Sequence, residues 1–294
     1  MNLPDALTAV IDALRCQRAT GVNHIYLDDD TLANLRMALN VSGEADPPDK
    51  PSPKPDRNTD DNRDKRDASI APVRLDFPSP PTFELPEGDK AAQMDWLRRR
   101  VQECPVCQRH LRPEKQLVMG VGDLDAELFF CGEAPGAEEE VQGEPFIGPA
   151  GQLLTRMIEA MGLKRPGVYI GNIMNWRPET AGHVGNRPPS AEEMAFCLPY
   201  LKAQLTIVQP KVVVALGLTA ANGLLGYDAQ RRMSAVRGQW QRFEERDLMV
   251  TYHPSYLLRN ASKKIKRLVW EDLLKVMERL NWPISVKQRS YFSD

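Results

Sequence analysis

The chain has 294 residues, enough for one large domain or two small ones with a proper core. Its hydrophobic content is 42% and its net charge −2, so no global charge advertises a polyanion, and any nucleic acid must be met by local basic patches. No stretch reaches the apolar length of a bilayer span, and residues 1–15 lack the basic start and apolar run of a secretion signal. The expectation is a cytoplasmic protein without a membrane partner, whose five cysteines are thiols or ligands rather than disulfides.

In chain order, residues 1–45 read as a small helical segment. Leu3, Leu7, Val10, Ile11 and Leu14 form one apolar stripe, and Leu32, Leu35 and Leu39 form a second behind an Asp28-Asp29-Asp30-Thr31 cap. No chemistry is legible there, and the expectation is an accessory element for an unidentified protein partner. Residues 46–87 are dense in Pro, Asp, Lys and Arg and carry few large apolar residues before Val73. Such a stretch buries too little surface to offset its ordering entropy, so it is expected as a disordered linker.

From 88 to 294 strands and helices alternate. Buried strands are expected at 127–131, 168–173, 211–216 and 248–252, with helices over 150–162 and 262–280 and a third helix capped by Ser190. This alternation predicts an α/β fold, a three-layer α/β/α sandwich around a central four-stranded, mostly parallel sheet. Ligands of such sheets bind at the carboxyl ends of the strands, which singles out the loops after Cys131, Ile173, Leu216 and Tyr252.

Two of those loops carry chemistry. The first reads Gly132-Glu133-Ala134-Pro135-Gly136, followed by Pro145-Phe146-Ile147-Gly148-Pro149-Ala150-Gly151-Gln152. It fits neither a Walker loop nor Gly-x-Gly-x-x-Gly, so a nucleotide-phosphate site is unsupported, and alone it reads as a generic glycine-rich turn. The last loop reads His253-Pro254-Ser255-Tyr256-Leu257-Leu258-Arg259, and a lone histidine at a strand end is more often structural than catalytic.

Together, these two motifs resemble the signatures of family 4 uracil-DNA glycosylases. The strand ending Gly171-Asn172 and the Val214-Ala215-Leu216-Gly217 strand extend the match over about residues 96–280, in order. The resemblance implies a DNA glycosylase acting on a base flipped out of the stack. It assigns Glu133 to the water or the cationic sugar and His253 to the departing base. Phe146 would stack on the base and Asn172 read its edge, with Gly132 and Ala134 in the base-binding loop. Leu257 or Leu258 would wedge into the gap, and Arg259, Lys263, Lys264, Lys266 and Arg267 would form a phosphate-binding patch. Outside the resemblance, each residue has a plainer reading: Glu133 as a helix-dipole acid, Phe146 as core, the lysines as a solvated helix face.

The chain departs from the pattern twice. The family holds an iron–sulfur cluster on four cysteines. Cys104, Cys107 and Cys197 match three of them, and Trp176 stands at the fourth. The site is expected either to hold an iron–sulfur cluster or another metal, with His110 or His183 as the fourth ligand, or to be packed without metal around Trp176. The second departure is the long 179–187 loop, where His183 and Arg187 are expected DNA contacts and His183 as a nucleophile is an outside reading. Three functions stay open: removal of uracil in base-excision repair, excision of a modified pyrimidine from phage DNA in antiviral defence, and a catalytically weak DNA-binding relative.

Overall fold

The computed structural model describes residues 77–178 and 186–293. The segment at 1–45, the stretch 46–76 of the expected linker, and residues 179–185 with His183 lie outside the described residues. The linker expectation runs too far toward the carboxyl end. Phe77, Phe83 and Leu85 are half-buried against the core, because three large apolar side chains among the prolines supply enough surface to anchor an extended segment.

Six strands form one sheet in the order β1-β3-β2-β4-β6-β5. They are β1 (Val121–Gly122), β2 (Leu128–Gly132), β3 (Tyr169–Asn172), β4 (Val212–Leu216), β5 (Trp240–Phe243) and β6 (Arg246–Thr251). The expected parallel core of four is present, β3-β2-β4-β6. The expected strand count was short by two, because β1 and β5 add as antiparallel edges.

The central strands are apolar throughout since both faces are covered. Phe129, Cys131, Val213 and Ala215 point to one layer, with α1 (Lys90–Gln102) and a short α2 (Pro105–Arg109) that follows it. Leu128, Phe130, Val212, Val214 and Leu216 point to the other. That second layer holds α4 (Pro149–Ala160), which follows a single-turn α3 (Glu139–Gln142). The first layer is completed by α5 (Ala191–Val208) and α6 (Leu218–Leu225). A turn, α7 (Met233–Val236), precedes β5, and α8 (Pro254–Arg259) and α9 (Lys263–Arg279) return to the second layer. Ser190 caps α5 in a full capping box with Glu193, as its sequence predicts, and Ser262 caps α9. Among the described residues no helix is long and apolar enough to cross a membrane.

Candidate active site

The carboxyl ends of β2, β3, β4 and β6 open into one cavity of about 530 Å³, lined by Glu133, Phe146, Asn172, Leu216, Gly217 and His253 among others. All four loops singled out by the parallel-sheet rule reach it.

Glu133 leaves β2 directly. Burial raises its carboxyl above the ordinary carboxylate range, and a hydrogen bond from the Thr219 side chain on α6 works against that rise. Its backbone carbonyl accepts from Met174 N–H at 3.0 Å, which ties the loop to the end of β3. Nothing local in the sequence marks Thr219, because α6 meets β2 only in the folded structure.

His253 caps α8. The Ser255 backbone N–H donates to His253 Nδ1 at 3.1 Å, and the Ser255 hydroxyl lies 2.8 Å from the same nitrogen. A nitrogen that accepts carries no proton, so the neutral ring is assigned its proton on Nε2. Burial, with the Arg259 charge nearby, lowers the imidazole to about 4, so the ring is neutral at physiological pH.

Phe146 takes a left-handed backbone conformation, φ 54°. Gly132 and Gly151 permit this: a Cβ at Gly132 would strike the Phe146 ring and the Asn172 amide, and one at Gly151 would strike the Phe146 carbonyl. Arg165 donates to the Pro145 carbonyl at 2.6 Å and steadies the same turn. The ring sits 5.6 Å from that of His253. Asn172, 6% exposed at the end of β3, has a carbonyl oxygen without a hydrogen-bond partner. A buried amide oxygen left so costs roughly 1–3 kcal/mol unless a ligand satisfies it. Ala134 lies beside Glu133 in the lining.

Around the mouth, Leu258 is 45% exposed whereas Leu257 is 6% exposed and packed in the core. The phase of α8 turns Leu257 into the core, which leaves Leu258 as the exposed leucine of the expected wedge pair. Arg259, Lys263 and Lys264 are exposed nearby. Arg267 is not part of that patch: its guanidinium holds the Arg289 and Tyr291 carbonyls and Glu271. Arg187 lines the cavity but also forms a two-point ion pair with Glu193, at 2.7 Å each, so it anchors the end of its loop to α5.

A second network went unread in the sequence. Buried Glu140 accepts from Arg112 at 2.5 and 2.6 Å and from Arg177 at 3.0 Å, and Arg177 Nε donates to Asn186 Oδ1 at 2.7 Å. Arg177 and Asn186, which flank residues 179–185, thus grip each other at the cavity mouth and tie back to the helix after the Glu133 loop.

The three-cysteine site lies elsewhere. The Tyr200 hydroxyl and the Cys107 thiol hydrogen-bond to Cys104, and burial raises Cys107 and Cys197 above the ordinary thiol range. At the fourth position Trp176 is 1% exposed, and its indole N–H has no acceptor. An indole N–H is only a donor and cannot bind iron. His110, the described candidate for a fourth ligand, stacks on Trp176 at 4.9 Å and 6°. Among the described residues no group of three Cys, His, Asp or Glu side chains is arranged to hold a metal ion. Three cysteines and a tryptophan do not supply the four thiolates of a four-cysteine cluster.

Comparison with known proteins agrees with the geometry of the cavity. A family model described as the uracil DNA glycosylase superfamily matches residues 119–274. A type-4 uracil-DNA glycosylase of Thermotoga maritima is 40% identical over 186 residues, covering 62% of this chain and 92% of the relative. One from Pyrobaculum aerophilum is 36% identical over 172 residues, 56% of this chain and 85% of the relative. A type-5 uracil-DNA glycosylase of the same organism is 30% identical over 173 residues, covering 54% and 72%.

Proposed function

Since the chain belongs to the uracil-DNA glycosylase superfamily and is similar to its type-4 members, we propose that it hydrolyses the N-glycosidic bond of uracil in DNA, as a monofunctional repair glycosylase that leaves an abasic site. The observation that carries this reading is the convergence of Glu133, the partnerless Asn172 oxygen and a neutral His253 on one cavity.

A base inside a duplex cannot reach this cavity, so the nucleotide must first leave the stack. Leu258 fills the gap it leaves, and Arg259, Lys263 and Lys264 hold the flanking phosphates. Phe146 stacks on the base. The Asn172 carbonyl accepts from the N3–H of uracil, a donor that cytosine lacks at that atom. As the bond from base N1 to C1′ breaks, its electron pair leaves on the base, and the charge on the base oxygen meets the His253 Nε2–H. A neutral donor suits this task because the proton stays on nitrogen while the hydrogen bond strengthens. The Glu133 carboxylate faces the sugar, supports its positive charge and takes a proton from the water that adds to C1′. Thr219 holds that carboxylate in place.

The test is the fate of a uracil-containing duplex. The expected product is free uracil and an intact abasic strand that breaks only on alkali treatment. A protein–DNA adduct on denaturing gels would contradict hydrolysis and return attention to the 179–187 loop.

A further inference from the structure

We infer that the three-cysteine site of this chain is closed by an aromatic column and carries no iron–sulfur cluster, unlike the four-cysteine arrangement its family resemblance implies. The column runs through four rings. Phe77 stacks on His110 at 5.6 Å and 15°, and His110 on Trp176 at 4.9 Å and 6°. Phe196 closes on Trp176 at 6.3 Å and on Phe77 at 5.6 Å. These contacts come from four separate segments: the extended entry segment, the turn after α2, the loop after β3, and α5 one residue before Cys197. A cluster would cross-link the last three of those segments through its cysteines, and here stacked rings join them instead.

Two of the three thiols are engaged with each other, and the third hydrogen-bonds to the Asn175 backbone. Cys107 and Tyr200 hydrogen-bond to Cys104, and Cys197 is fully buried beside them. Along the chain the column adjoins the network at the cavity mouth: His110 precedes Arg112 by two residues and Trp176 precedes Arg177 by one. Both arginines converge on Glu140. The packing thus does for the Glu133 side of the molecule what a cluster would do by ligation. The inference does not depend on which base the cavity takes.

The experiment is anaerobic purification of the full chain from iron-replete cells, with iron, zinc and acid-labile sulfide counted per chain and the visible spectrum recorded. Wild type is expected to be colourless, with each element well below one per chain. Retention of about four irons and four sulfides per chain, lost in Cys197→Ser, would overturn the inference; so would stoichiometric zinc. Trp176→Phe separates packing from ligand support, since it keeps a stacking ring and removes the partnerless N–H. Its melting temperature is expected to equal or exceed that of wild type. A Trp176→Phe protein that loses bound iron relative to wild type would show that the indole N–H serves a cluster, and the inference would fall.

Discussion

The two halves of this molecule hold their special residues in opposite ways. At the carboxyl ends of the parallel strands, polar groups are kept short of partners: the Asn172 oxygen has none, the Glu133 carboxyl is raised by burial, and Phe146 is bent into a left-handed turn. The unpartnered Asn172 oxygen is a cost that a bound ligand relieves. At the three-cysteine site the Trp176 N–H and the neighbouring Asn175 side-chain oxygen also lack partners, but there stacked rings fill the space. The difference separates a region built to act from one built to hold. Damage to the first should remove chemistry and spare the fold; damage to the second should do the reverse.

The largest effects are expected from Glu133 and His253, the pair to which the proposed mechanism assigns the chemistry. Glu133→Ala should lower single-turnover uracil release by about 10²–10⁴-fold, and His253→Ala by about 10²–10³-fold, with melting temperatures close to wild type. Glu133→Gln should be as inactive and no less stable. A carboxyl whose folded pKa is raised loses stability as pH climbs through that value, and the amide removes the loss. Trp176→Ala reverses the pattern, costing roughly 3–5 kcal/mol in denaturant unfolding as a large core ring is lost. Its rate per folded molecule should fall far less than that of Glu133→Ala.

The pH profile sharpens the first half. The proposed mechanism needs ionised Glu133 and neutral His253. His253 becomes protonated only near about 4, whereas Glu133 is raised above the ordinary carboxylate value of 4.5. The acid limb should therefore follow Glu133 and vanish in Glu133→Gln; a limb retained in that variant would reassign it. Asn172→Ala should cost about 1–3 kcal/mol in kcat/KM, the worth of one buried hydrogen bond to the base. Smallest is Leu258→Ala, expected to slow release from duplex by a few-fold and leave single-stranded substrate unaffected. Leu257→Ala, by contrast, should cost stability of about 2–4 kcal/mol.

The parallel core was legible because strands covered on both faces read as unbroken apolar runs, as in Leu128–Cys131 and Val212–Leu216. The edges were not. Val121–Gly122 is two residues long, and Trp240–Phe243 is mostly half-exposed with a polar interior. The cavity residues were legible through their motifs, and the strand-end rule placed them on one side of the sheet. Their supports were not legible, because pairs such as Arg112–Glu140 and Thr219–Glu133 join distant segments and leave no local pattern. The choice between Leu257 and Leu258 needed the phase of a six-residue helix. The Trp176 substitution was plain in the sequence, but its stack on His110 required the fold.

The most direct measurement is base release from matched oligonucleotides that carry uracil, hypoxanthine or a modified cytosine at one position, with Glu133→Ala and His253→Ala alongside. The account predicts release of uracil alone, lost in both variants. Inertness on uracil with release of a modified base, again lost in both variants, would contradict it and show that this cavity serves another substrate.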